Sequence, residues 1–427
     1  MSLPSASRAR PQPGSWWYVR PMDVDIRLLD AERHVEFGVP IVTAFGLQLP
    51  PERLEQGRRI PELQLRFGAF DGDLLVGSAG SFSFSMGTPG GPVAVAGVTM
   101  VAVMPTHRRR GILTRLMRRQ LDEARARGEA VAALWASEST IYGRYGYGMA
   151  SQCWTASIER ARAAFLPAAE PPWRARLLSP AEALGVFPGI HERARRATPG
   201  MPSRSEIWWE VRRLRDWEAR PGSGNPLQMA AIEIEGRPEA YALYRVGHRW
   251  DPVQLASGAL TVVEAVGATP LATRLVWRYL LDIDLMERVE ANLLPIDHPL
   301  LLLLAEPRRL RLQVTDGVWV RLVDVEAALA ARGYADGGAL TIEVEDAFCP
   351  WNTGRFRLDG GAGRVARTDA PADLRLDVAA LGSTYLGGLS FRRLADAGRV
   401  EERVPGAVAR ADALFRAERA PWCPEIF

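Results

Sequence analysis

Two apolar runs, Leu65-Arg-Phe-Gly-Ala-Phe70 and Leu74-Leu-Val-Gly-Ser-Ala-Gly80, flank Asp71-Gly72-Asp73, and the arrangement predicts a hairpin. Pro89-Gly-Gly-Pro92 marks a second turn. The β-branched stretch from Val93 to Val103 predicts the next strand, which stops at Pro105. From Leu113 to Arg127 the pattern changes period. Leu113, Leu116, Met117, Gln120, Leu121 and Ala124 fall at helical spacing. Val131-Ala-Ala-Leu-Trp135 is another short buried-strand pattern. A meander of strands, then loop, helix and strand, predicts an α+β layer.

A fainter version follows. Tyr241 to Val246 and Leu260 to Val266 predict neighbouring strands, Gly267-Ala-Thr-Pro270 a loop, and Leu271 to Leu281 an amphipathic helix. The order matches that of Thr99 to Gln120 and predicts a duplicated domain. Between the two lies a linker, Ala161 to Trp173, with Pro167, Pro171 and Pro172. A third block opens with strand patterns at Arg311 to Val314 and Gly317 to Leu322. It continues with a helix at Val325 to Arg332, strands at 339–344, 354–358 and 372–377, and helices up to Phe415. The expected boundaries are a disordered Ser/Arg/Pro-rich tail over 1–14, then domains over 15–165, 166–306 and 307–427.

Composition narrows the function class. All 53 basic residues are Arg, interspersed with 50 acidic ones, so the net charge of +3 leaves no nucleic-acid footprint. The three cysteines are far apart, outside any C-x-x-C pair, and the five histidines are scattered. That pattern supports neither a metal site nor a disulfide framework and fits a reducing cytoplasm. The apolar run Leu300 to Ala305 is too short for a membrane span.

The chemistry concentrates at Val101-Ala-Val-Met-Pro-Thr-His-Arg108-Arg109-Arg110-Gly111-Ile112-Leu113. A strand feeding an Arg/Gly turn that opens a helix makes a pyrophosphate cradle. Free backbone N–H groups and the helix dipole face the anion, and glycine permits close approach. The chain has neither Gly-Lys-Ser/Thr nor G-x-G-x-x-G here. Arg108-x-x-Gly111-x-Leu113 instead resembles the coenzyme A loop of the GCN5-related N-acetyltransferases (GNAT). The stretch Val131-Ala-Ala-Leu-Trp-Ala-Ser137-Glu138-Ser-Thr-Ile-Tyr142-Gly-Arg-Tyr145-Gly-Tyr147-Gly follows at a matching distance. With Ala327 to Tyr334, Leu381-Gly-Ser-Thr-Tyr385-Leu-Gly-Gly and the terminal Phe427, it is similar to the bacterial Eis (enhanced intracellular survival) acetyltransferases. The resemblance implies tandem GNAT-like domains, the second degenerate, followed by a sterol-carrier-protein-like α+β domain, usually assembled as a hexamer.

It also implies roles. Acetyl-CoA is the cosubstrate, with no metal. Val101 and Val103 would pair with the pantetheine arm, while Arg108, Arg109, Gly111, Ile112 and Leu113 would hold the pyrophosphate and Ser137 would sit on the coenzyme side. Tyr142 matches the family's general acid, and residue types alone leave Tyr145 and Tyr147 as rivals. The α-carboxylate of Phe427 matches the general base. Met100, Phe45, Trp135 and Glu425 fall on the acceptor side. There the chain departs from the family's aminoglycoside-acetylating members. Ala44 to Gln48 holds no Asp, Trp135 stands where they have His, and Glu425 is one residue further from the end. The expected acceptor is a primary amine, aminoglycoside-like or another small amine, and the departures point to one on an apolar or aromatic body. Acetylation of protein lysines and non-catalytic binding of an apolar ligand are the alternatives.

Overall fold

The structure, a computed structural model, describes residues 24–49, 51–217, 225–335, 338–361 and 363–427. The tail expected at 1–14 lies outside these residues. A seven-stranded sheet runs in spatial order Asp25–Leu28, Leu63–Asp71, Leu74–Thr88, Gly91–Val103, Val131–Trp135, Val318–Leu322, Gly148–Met149. The first four strands are antiparallel. Gly91–Val103 and Val131–Trp135 are parallel, and the crossover between them contains the helix Ile112–Ala126. That helix buries Ile112, Leu116, Met117, Leu121 and Ala124 on the sheet. Gln120, a polar residue at an apolar position, is buried because its Nε2 donates to the Gly80 carbonyl at 2.7 Å.

A second seven-stranded sheet repeats this plan. Its order is Trp173–Leu177, Leu227–Ile234, Arg237–Gly247, Ala259–Gly267, Arg288–Pro295, Gln152–Glu159, Gln313–Asp316. Ala259–Gly267 and Arg288–Pro295 form its parallel pair, bridged through the helix Pro270–Asp282. The faint internal repeat is therefore a real duplication of topology.

The two sheets exchange strands. Gln152–Glu159, from the first half of the chain, pairs in the second sheet with Arg288–Pro295 and Gln313–Asp316. Val318–Leu322, from beyond the second half, pairs in the first sheet with Val131–Trp135 and Gly148–Met149. This corrects the expectation that 311–322 opens the third block: both strands complete the preceding sheets. Hydrophobic periodicity reports that a segment is a strand, not which edge it joins.

The third unit has a five-stranded mixed sheet in the order Arg364–Arg367, Gly354–Asp359, Ala339–Glu345, Leu374–Asp377, Val400–Glu402. Its helix Val378–Thr384 is buried throughout and lies on Gly148–Met149 and Val318–Leu322. Two glycines make that approach possible. A methyl group at Gly148 would collide with the Ala379 carbonyl oxygen, and one at Gly382 with that of Val320. One continuous core then joins Phe82, Phe84, Val95 and Val320 of the first sheet to Leu376, Leu381 and Phe427. No described helix is long and apolar enough to cross a membrane.

The glycine contact makes a checkable contrast. Gly382→Ala should destabilise the protein by about 2–3 kcal/mol, because backbone must move. Gly185→Ala, in the helix Pro180–Arg196 with open space around it, should stabilise by about 0.5–1 kcal/mol. Thermal denaturation of the two variants reads both signs.

Candidate active site

The site begins with a break in the first sheet. Gly91–Val103 pairs with Val131–Trp135 only over Val95 to Gly97, opposite Val131 to Ala133. Beyond that the strands part. On the far side, Val131–Trp135 stays paired along its length with Val318–Leu322. On the near side, a bulge takes Met100 and Val101 out of the ladder with Leu74–Thr88. Met100 takes a left-handed φ of 51°, and its carbonyl accepts from Ser78 Oγ at 2.9 Å. The Gly91–Val103 strand thus enters the gap with backbone groups that no neighbouring strand has claimed.

At the end of this strand lies a cavity of about 320 Å³. It gathers Val101, Val103, Arg108, Arg109, Gly111, Ile112, Leu113, Ser137, Tyr142 and Phe45, all expected from sequence. Arg109 (φ 62°) and Gly111 (φ 77°) are both left-handed and fold the loop back onto the helix start. Gly111 is the N-cap, and no side chain caps the first turn. Nothing lies within 4 Å of where a methyl on Gly111 would point. The helix therefore presents uncapped N–H groups to open space beside Arg108 and Arg109, an arrangement suited to a pyrophosphate.

The cavity separates the three tyrosines. Tyr142 and Tyr145 line it. Tyr147 lines a different cavity, between Ser139 and Asp377. Tyr145 shares its hydroxyl with Thr114 Oγ1 at 3.3 Å. Tyr142 is buried, and burial raises its phenol pKa above the ordinary value even though Ser137 hydrogen-bonds to it. It stays protonated at neutral pH, as a proton donor must.

The residues expected on the acceptor side divide. Met100 forms the bulge and Phe45 lines the cavity, half exposed. Trp135 and Phe427 sit with Phe84, Val95 and Ala133, whereas Tyr142 sits with Ala96, Val98 and Ala132. Alternate residues of one strand face opposite sides, so Tyr142 and Phe427 approach the sheet from opposite faces. The Phe427 ring packs edge-on to Phe84 at 5.0 Å between centroids.

Glu425 is a correction. Expected as an anionic partner for the acceptor, its carboxylate is instead held internally. Trp208 Nε1 donates to it at 2.9 Å, and Arg204 and Arg212 lie at 3.0 and 3.2 Å. Arg204 also pairs with the buried Glu264 at 2.8 Å, as Arg213 does at 2.7 Å. Burial alone would raise the Glu425 pKa, but Arg204, Arg213 and Arg212 outweigh it and hold the pKa below the ordinary value. No sequence motif marks this network. Its members come from three separate parts of the chain: the segment from Arg204 to Arg213, Glu264, and Glu425 in the tail.

The family follows from this geometry and from the comparisons. An acetyltransferase (GNAT) domain model matches residues 25–150, a second GNAT model 200–322, and a sterol carrier protein domain model 325–424. An uncharacterised N-acetyltransferase of Streptomyces avermitilis is 41% identical over 95% of this chain and all of its own length. The N-acetyltransferase Eis of Mycobacterium bovis is 38% identical over 83% of this chain and 86% of its own. The chain belongs to the Eis family of N-acetyltransferases. The crystal structure of Eis1 from Mycobacterium abscessus superposes with a TM-score of 0.81 at 37% identity, covering 95% of this chain and all of that one. As an Eis-family protein it is an acetyl-transferring enzyme built from two GNAT domains and a sterol-carrier-like domain, and GNAT enzymes use acetyl-CoA. Among the described residues no cluster of His, Cys, Asp or Glu is placed to hold a metal. The cavity wall also holds His107 and Thr114, which flank the loop in sequence, Ile141 and Arg144, which flank Tyr142, and Ala44, which the fold brings from before the first long strands.

The Glu425 network predicts a pH response. Because its folded pKa is depressed, the stability that Glu425 contributes is fully present above the unfolded value of ~4.3 and is lost as pH falls below it. Glu425→Gln should cost about 3–5 kcal/mol at pH 7 by leaving buried guanidinium charge unmatched. The penalty should shrink in denaturant titrations at pH 3–4.

Proposed function

We propose that this Eis-family enzyme transfers the acetyl group of acetyl-CoA to a small primary amine, with Tyr142 as general acid and the Phe427 α-carboxylate as general base. The observation that carries the reading is the open gap beyond the Gly97–Ala133 pair, with an uncapped Arg/Gly helix start at one end and a buried, protonated phenol beside it. Val101 and Val103 would receive the pantetheine amides as an added strand. Arg108, Arg109 and the N–H groups of Ile112 and Leu113 would hold the pyrophosphate. The thioester, when bound, supplies the activated acetyl group. Phe427 would accept the proton of the attacking ammonium, through water, freeing the nitrogen lone pair. Tyr142 would give its proton to the sulfur as the C–S bond breaks and the N–C bond forms, and the second proton shed by the nitrogen would return through water to the Tyr142 phenolate, leaving the amide, the free thiol and one proton on the Phe427 carboxylate.

The tail side of the sheet supports an acceptor with few charges. A cavity of about 660 Å³ beside Pro424 to Ile426 is lined by Arg53, Arg212 and Arg213 with Trp217, Ile60 and Val211. Its one acid, Glu425, is already neutralised. A polycation entering there would face guanidinium groups with no acidic side chain left free, the Phe427 carboxylate being the one anion on offer.

Two measurements test the reading through release of coenzyme A thiol. Tyr142→Phe should lower kcat about 100-fold or more while leaving acetyl-CoA binding unchanged. Loss in Tyr145→Phe and not in Tyr142→Phe would transfer the acid role to Tyr145. An aromatic monoamine should show a higher kcat/KM than a multiply charged aminoglycoside. The reverse ranking would overturn the acceptor assignment.

A further inference from the structure

The duplicated unit contains the counterpart of the open gap, and the chain's own tail fills it. Ala259–Gly267 pairs in parallel with Arg288–Pro295 only from Ala259 to Val262, opposite Arg288 to Ala291. Beyond Ala291 the latter strand becomes irregular, and Leu293 takes a left-handed φ of 57°. Its carbonyl accepts from Trp422 Nε1 at 2.5 Å. The Trp422 backbone N–H donates to Pro199 O at 2.7 Å, and that of Ala420 to Asp297 Oδ2 at 2.8 Å. Gly200 (φ 88°) lets the chain pass, since a methyl there would press on the Trp422 backbone at 3.1 Å. What remains of the cleft, about 230 Å³, is bounded by Gly267, Pro270 and Thr273 on one side and by Arg419, Ala420 and Trp422 on the other.

The helix start in this unit is closed to an anion. Where the first unit has an uncapped Gly111 that follows three arginines and faces open space, Thr269 Oγ1 accepts from Ala272 N at 3.1 Å and Pro270 occupies the first turn. From Trp422 the tail runs through buried Cys423 and the Arg-held Glu425 to Phe427 on Phe84. Only Cys423 to Ile426 stand between the indole and the terminal residue, too short a stretch for the terminus to settle independently of it.

We propose that the cofactor cleft of the second unit has become a socket for Trp422, which sets the position of the tail and thereby of the Phe427 carboxylate. Trp422 is a positioning residue for the base, and the proposal rests on the reading of Phe427 given above. The full-length enzyme tests it with Trp422→Ala, Trp422→Phe and a variant lacking Phe427, assayed from pH 7 to 9.5. Trp422→Ala should lower kcat at least 10-fold at pH 7 with KM for acetyl-CoA unchanged. The deficit should narrow toward pH 9.5, where more of the acceptor amine (pKa ~10) is already neutral. Trp422→Phe, which keeps the aromatic bulk, should recover most of the activity. Hydrogen exchange at amides 423–427 should quicken in Trp422→Ala. A deficit independent of pH, or unchanged exchange in the tail, would overturn the proposal. If removal of Phe427 lowers kcat and Trp422→Ala does not, the socket fails and the base stands. If removal of Phe427 leaves kcat intact, the base reading fails and the positioning role falls with it.

Discussion

The exchange of Gln152–Glu159 and Val318–Leu322 between the two large sheets is the constraint on which the rest depends. Neither sheet can satisfy its inner ladder from its own half of the chain. Val131–Trp135 would be left as an unpaired edge without Val318–Leu322, and Arg288–Pro295 would lose a partner without Gln152–Glu159. The exchange therefore joins the two units through backbone hydrogen bonds as well as side-chain contacts. It also holds the active-site gap open. The Val131–Trp135 strand is anchored along its length on one side, so it can leave Gly91–Val103 on the other without collapsing back.

From that frame the same architecture is used in two ways. In the first unit, an αL glycine after three arginines leaves the helix start uncapped, and the two central strands part beyond Gly97. In the second, a threonine cap and a proline close the helix start, and an indole takes the place in the gap. The tail joins the two. It is held at Trp422 by the second unit, at Glu425 by Arg204 and Arg212, and at Phe427 by the first sheet. The buried Glu425 and Glu264 balance guanidinium charge that would otherwise be costly so far from water.

Much of this was legible locally. Strand, Arg/Gly loop and helix over 93–127 read correctly because hydrophobic period, a proline stop and a glycine are short-range signals, and Arg108, Arg109, Gly111, Ile112 and Leu113 line one cavity. The duplication was visible in element order despite little shared sequence, because burial against a sheet preserves period more strictly than identity. Two readings went astray for the same reason. Residues 311–322 are strands as expected, but they pair with Gln152–Glu159 and Val131–Trp135, far back in the first half of the chain. Glu425 has the charge expected of it, but that charge is matched by Arg204 and Arg212, which belong to the middle of the chain.

The sequence by itself determined the elements, the Arg/Gly loop between strand and helix, the family and the short set of tyrosines from which a proton donor could come. These rest on interactions between near neighbours along the chain or on motifs that keep their spacing. Only the tertiary structure decided which strand closes which sheet, that Tyr142 and Tyr145 line the cavity while Tyr147 does not, and that the tail is seated in the duplicated cleft. Those outcomes depend on long-range pairing, where the free energy comes from satisfying buried backbone groups and charges that no local pattern can match to their partners.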